Sequence, residues 1–311
     1  MFHFDEVVSE RPAGVASLGA LFLVSPRNGE PRVSWRRSEV AVRPRRGWRP
    51  NTAYTVTLLP GISDLRGNIR NAGATTVFAT GPTIPSGRIS GNLFNWTEGR
   101  LLQRGLVQAR PLTDTSIVYV TATDSAGSFT IAHLPGGQYQ VLGISDDNRN
   151  RALDPREAWD SVTVPLTDTA RLELLAFVHD SVGSRLLGVN YRDSVTLELL
   201  FDNPLSVSVP LGAANIRVRA PDSTDVPVAS VAPPERDTTP SIVRRPSRPS
   251  PTQSVIVRLS RPLRAQTDYR VVVTDARNII GVVRSSDRVV RTPAPARPPA
   301  AAPPPPAPPR P

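Results

Sequence analysis

The stretch Arg49-Pro-Asn-Thr-Ala-Tyr54-Thr-Val-Thr-Leu-Leu59 decides the fold. Its first half is turn chemistry. Its second half sets Tyr54 and Val56 on alternate positions of a β-branched run, the period of a strand with one buried face. The pattern returns in the last third of the chain as Arg264-Ala-Gln-Thr-Asp-Tyr269-Arg-Val-Val-Val273. Working outward, Phe4-Asp5-Glu6-Val7-Val8 pairs with Phe201-Asp202-Asn203-Pro204-Leu205. Both copies then run through an Asp and an Asn, Asp64 and Asn68 in the first, Asp275 and Asn278 in the second, where the glycine of the first copy is missing. Each closes on a Val/Phe strand ending in Thr80 or Thr292. From Phe to Tyr the first copy takes 50 residues and the second 68. The excess falls in Ala232–Pro251, a Pro/Arg/Ser stretch with little to bury, whose composition predicts disorder.

Other short runs rich in Val, Thr, Ile and Tyr fill the chain between Pro, Gly, Asn and Asp clusters: Ser116–Ala122, Ser161–Val164, Ser194–Phe201 and Ser254–Leu259. Helical periodicity is almost absent. The expected fold class is all-β, as tandem β-sandwiches burying shared cores.

Composition excludes much chemistry. The chain has 311 residues, and all 37 cations are arginine; lysine and cysteine are both absent. This removes Schiff-base and P-loop lysines, thiol catalysis, Cys-ligated zinc and disulfides. The net charge of +10 is scattered: +5 over 1–82, −2 over 83–179, +5 over 180–292 and +2 beyond. With no basic stripe, and aromatics at 5%, the expectation is no nucleic acid. The longest apolar run, Gly14–Val24, is shorter than the ~20 residues a membrane helix needs and reads as a buried strand. No signal peptide opens the chain, since Met1–Glu6 lacks a basic start and an apolar core.

The Phe-Asp-Glu start, the Pro-Asn-Thr-x-Tyr-Thr-Val-Thr strand, Gly61-Ile-Ser-Asp-Leu-Arg-Gly-Asn68 and Val77-Phe-Ala-Thr-Gly81 together resemble the bacterial Ig-like domain of S-layer and cell-envelope proteins. The resemblance covers 1–82 and, more weakly, 180–292. It implies a further half-strand before Phe4 and an export signal upstream of that, so the expected start lies inside the motif with the export signal missing from it. The middle, 83–179, resembles a carboxypeptidase regulatory-like, transthyretin-like sandwich: Asp124-Ser-Ala-Gly127 makes a hairpin turn, Phe129 and Ile131 point inward, and Pro135-Gly-Gly137 turns into the Tyr139 strand. Such modules are non-catalytic. Residues 293–311 are almost entirely Pro and Ala, a disordered or polyproline tail.

One loop carries a site signal. With Asp146 as position 1, Asn148, Asn150, Asp154 and Glu157 place oxygens at positions 3, 5, 9 and 12, and the Ala152 carbonyl falls at 7, the ligand spacing of a calcium loop. Arg151 stands at position 6, where glycine normally makes the turn. The competing reading is a solvated Asx-rich turn whose acids are balanced by Arg149, Arg151 and Arg156. Elsewhere, Asp114, Asp124 and Glu98 read as turn residues rather than an acid/base pair. His3, His133 and His179 lack the spacing of a metal pair. Among the tryptophans, Trp35 reads as core, while Trp96, in the polar run Asn-Trp-Thr-Glu-Gly, reads as exposed and able to stack on a sugar ring.

These readings converge on a non-enzymatic cell-envelope or secreted protein whose modules serve as spacers or as adhesion and interaction surfaces. Its expected partners are other envelope proteins or surface glycans, and its one expected cofactor is Ca2+. The alternative is a carbohydrate-binding accessory module of an exported protein.

Overall fold

The computed structural model describes residues 1–235 and 245–294. The chain divides into two compact units, Met1–His179 with Thr239–Ser250, and Asp180–Thr238 with Pro251–Pro311. The described residues are strands joined by turns, with two short 3-10 turns and no α-helix. The described residues are therefore all-β, in tandem β-sandwiches. Residues 295–311 of the proline-rich tail lie outside the described residues.

The first sandwich of the first unit has Ala53–Leu58 between Phe22–Ser25 and Ala74–Ala79 in one sheet. The facing sheet is Phe2–His3, Glu39–Arg43 and Arg32–Arg36. Alternation does the work here: Tyr54, Val56 and Leu58 point inward onto Phe22, Val24, Val40 and Val42, all buried. Gly14–Val24 is only partly the strand expected. Leu18–Leu21 is a 3-10 turn capped by the Ser17 hydroxyl, and the strand begins at Phe22.

In the same unit, the middle sandwich closes eight strands around Ile89, Leu93, Phe129, Ile131, Tyr139, Val141 and Leu174. Gly87–Asn95 lies antiparallel to Ser128–Leu134 and parallel to Thr169–Val178. The Asp124–Gly127 turn forms as read, with the Asp124 carboxylate accepting from Ala126 N and Ser128 N at 2.8 and 2.9 Å.

The second unit sets two four-stranded sheets face to face. Leu186–Asp193, Thr196–Phe201, Ser254–Leu259 and Val228–Ala232 form one, and Asp225–Val226, Ile216–Arg219, Asp268–Arg277 and Val283–Arg291 the other. Leu197, Leu199, Val255 and Val257 bury against Val218, Tyr269, Val271 and Val273.

The repeat seen in the sequence is a repeat of hydrogen bonds. Tyr54 OH accepts from Arg49 N at 2.8 Å and Tyr269 OH from Arg264 N at 2.9 Å, each reaching a few residues upstream as in a tyrosine corner. The Thr80 hydroxyl accepts from Thr52 N (3.0 Å) and the Thr292 hydroxyl from Thr267 N (2.9 Å). Each threonine also donates back, at 2.5 Å to Arg49 O and 2.6 Å to Arg264 O. The excess length of the second copy falls in sequence between two paired strands. In the first copy Arg32–Arg36 turns into Glu39–Arg43 through Arg37 and Ser38; in the second, Val228–Ala232 pairs antiparallel with Ser254–Leu259, and residues 233–253 lie between them in the sequence.

One expected equivalence is wrong. Val8 bridges Asp64, and its counterpart Leu205 bridges Asn278, so Asn278 and not Asp275 matches Asp64. Asp275 belongs to an irregularity in the strand Asp268–Arg277 at φ +55°, and the residue it adds shifts the register between Val273 and Ala276. With that corrected, the glycine reappears. Gly67 N donates to Asp64 O and Gly281 N to Asn278 O, with φ +88° and +97°, backbone that glycine adopts without a Cβ penalty.

Candidate functional site

The 146–157 loop leaves the strand Gly137–Ile144 and re-enters the sheet at Ala158–Leu166. The structure gathers most of the expected ligand side chains. Asn148 Nδ2 and Asn150 Nδ2 donate to the same oxygen, Asp154 Oδ2, at 2.5 and 2.8 Å. Asn148 and Asn150 turn their own oxygens onto Asn150 N and Ala152 N. Glu157, buried, accepts from Asp147 N and Asp154 N at 3.2 and 3.0 Å. Asp146 accepts from Arg151 N at 3.1–3.2 Å. Burial pushes the Asp146 carboxyl above the ordinary carboxylate value, against the backbone amides of Arg151 and Asn150 that favour its charge.

Position 6 holds what the sequence reading missed. Arg151 takes φ +61°, the conformation a glycine would have supplied, and is 9% exposed. Its guanidinium does not neutralise the loop's acids in solvent. It donates to the carbonyls of Phe22, at 2.8 Å, and of Ala20, both in the first sandwich. Arg27 donates in return to the Arg151 carbonyl. Burial pulls the Arg151 pKa down, with Glu30 and Asp146 opposing that pull.

Around this centre, Arg27 N donates to Val118 O, Val120 N to Ser25 Oγ at 3.0 Å, and Arg149 to Gly14 O at 3.2 Å. The loop thus joins two sandwiches through a buried cation and main-chain oxygens. The sequence did carry one sign of this, a bulky residue at the left-handed position of the loop.

The other residues singled out fall into structural roles. Asp114 caps its own turn through Ser116 N and Oγ, and Glu98 pairs with Arg100. His3 pairs with Glu39 at the surface. His133 sits at a register shift inside the strand Ser128–Leu134 with φ +62°. His179 stacks between Trp159 and Phe177, ring centres 3.8 and 4.1 Å away. Burial lowers its pKa. Trp35 is half-buried and donates to Val8 O. Trp96 is 4% exposed, against the exposed position expected of it. Among the described residues no three His, Asp or Glu side chains are grouped to hold a metal, and no helix is long and apolar enough to cross a membrane.

In the first unit, two sandwiches are fastened to each other by arginine side chains held on main-chain oxygens. Residues 2–80 match the family described as the bacterial Ig-like domain.

Among solved structures, the N-terminal part of the bacterial S-layer protein SbsC is similar at 16% identity and TM-score 0.28, over 37% of this chain and 25% of that one. This chain therefore spans a quarter of that structure. A putative carbohydrate binding protein from Bacteroides uniformis is similar at 11% identity and TM-score 0.23, over 67% of this chain and 99% of that one. The BSP domain of a biofilm associated protein is similar at 11% identity and TM-score 0.21, over 86% and 45%. No curated protein matches.

Proposed function

We propose that this protein is a non-enzymatic structural and interaction module of the bacterial cell envelope or extracellular space. The observation that carries the reading is the bacterial Ig-like domain at residues 2–80. The Arg151 joint supports a spacer role, because a buried cation held by two carbonyls fixes one sandwich on the next. Residues 83–179 serve as a carboxypeptidase regulatory-like module without peptidase chemistry, and 180–292 as a second Ig-like copy. Other envelope proteins or surface glycans are the partners. The test is protease shaving of intact cells carrying an epitope-tagged copy. Loss of the tag from intact cells is expected; a tag protected until the cytoplasm is opened overturns the reading.

A second reading concerns the 146–157 loop, favoured by the convergence of Asn148 and Asn150 on Asp154 Oδ2. Turning both amides presents oxygens to a calcium ion together with Asp146, Glu157 and the Ala152 carbonyl. Calorimetric titration of the full chain is then expected to show one site at ~10⁻⁴–10⁻³ M, the range of extracellular calcium modules, lost in Asp154→Ala. A flat titration with an unchanged melting temperature in chelator removes it.

A further inference from the structure

Trp96 is a buried indole in a polar stretch of sequence, and what buries it is itself informative. It follows the strand Gly87–Asn95 and is held by Trp96 N donating to Ala176 O at 2.9 Å, with Phe177 edge-on at 5.6 Å. Over its outer face lie residues 247–250, which belong to the same compact unit. The Arg248 guanidinium sits 4.8 Å above the ring, and the indole Nε1 donates to Pro249 O at 3.0 Å. Glu173, on the strand Thr169–Val178 paired with Gly87–Asn95, accepts from Ser247 N at 3.0 Å and from the Ser247 hydroxyl. The negative field of Asp160 also reaches Arg248. The disorder expected of Ala232–Pro251 therefore does not extend to these residues; 236–244 lie outside the described residues.

We propose that the Trp96 face of the middle sandwich is a binding site for arginine–proline segments, filled in this structure by the chain's own Ser247-Arg248-Pro249. Each element of the ligand meets a matching group. The cation meets an aromatic face, which attracts it through the ring quadrupole. The carbonyl before the next peptide bond meets an indole N–H. The main-chain amide and hydroxyl ahead of the cation meet a carboxylate. An aromatic ring offering a donor to a proline carbonyl is how grooves select proline-rich segments, which lose little entropy on binding. A tethered segment has an effective concentration of order millimolar, so a site of modest affinity is filled in cis. A partner must present the same arginine–proline chemistry and displace that segment. This goes beyond the spacer reading and does not rest on it.

The test uses the full chain and a fluorescein-labelled peptide of sequence Arg245-Pro-Ser-Arg-Pro-Ser-Pro251, read by anisotropy. The triple variant Ser247→Ala, Arg248→Ala, Pro249→Ala empties the site and is expected to bind the peptide at least ~tenfold more tightly than the wild type, in which the tethered segment competes. Arg248→Ala alone, the milder change, is expected to fall between them. Adding Glu173→Gln to the triple variant is expected to weaken binding about tenfold, the loss of one charged contact, with an unchanged far-ultraviolet spectrum. A peptide with alanine in place of Arg248 and Pro249 is not expected to bind. No binding by the two emptied variants up to millimolar peptide, equal binding of the alanine peptide, or wild-type binding as tight as the variants' overturns the proposal.

Discussion

Tyr54 and Tyr269 occupy the same place in two sandwiches that surround them differently. Tyr54 stacks on Phe78 with Trp48 edge-on against it, whereas Tyr269 is packed among aliphatic residues such as Val271, Val290 and Leu263. Yet both hydroxyls accept the same upstream amide, both partner threonines make the same bonds, and Asn51 and Gln266 hold φ +49° and +48°. The hydrogen bonds of the corner persist where the packing chemistry has changed. A backbone amide at a chain corner has few alternative partners, whereas apolar neighbours of similar volume exchange at modest cost.

The comparison can be broken by removing each ring. Tyr54→Ala and Tyr269→Ala are each expected to cost about 4 kcal/mol in chemical denaturation, the range for losing a buried aromatic side chain. The shared corner predicts a smaller, matching loss of about 1 kcal/mol for Tyr54→Phe and Tyr269→Phe. A Phe substitution that is costly in one copy and neutral in the other means that the bonds are equal in geometry only. The glycine pair sharpens the corrected register. Gly67→Ala and Gly281→Ala place a Cβ on a left-handed backbone with no heavy atom closer than 3.9 Å, so strain alone acts, at about 1–2 kcal/mol for each. A negligible cost at Gly281 would detach Asn278 from Asp64.

The smallest expected effect is one of pH. The Asn68 side-chain amide, and after it the backbone amides of Asn68, Arg66 and Gly67, hold the Asp64 carboxyl below its ordinary value of 3.8. Folding therefore favours the ionised form. The stability this supplies is whole above the ordinary carboxylate value and disappears as pH falls through the lowered one. Asn278 has no carboxyl to protonate, so amide hydrogen exchange is expected to show the Asp64 turn loosening in acid while the Asn278 turn holds. Asp64→Asn is expected to make the two turns behave alike.

What could be read in the sequence was what is local. The strand around Tyr54, the Asp124–Gly127 turn and the inward Phe129 and Ile131 need only their own neighbours, and they formed as read. The Asp275 register error arose because a strand irregularity adds a residue without any compositional mark. Arg151 and Trp96 were misread for a different reason. Their partners lie 129–131 and 153 residues away in the chain and are carbonyl oxygens, which every residue presents alike.

That property of the Arg151 joint reaches into how such a chain can change over generations. Because its guanidinium grips the oxygens of Ala20 and Phe22 and not their side chains, mutation at Ala20 can drift without loosening the grip. Any module that bends its main chain as residues 20–22 do would present the two oxygens that Arg151 grips. A joint of this kind leaves a sparse record in the sequence: Arg151, where a calcium loop carries glycine, and Arg27, which answers it from the first sandwich.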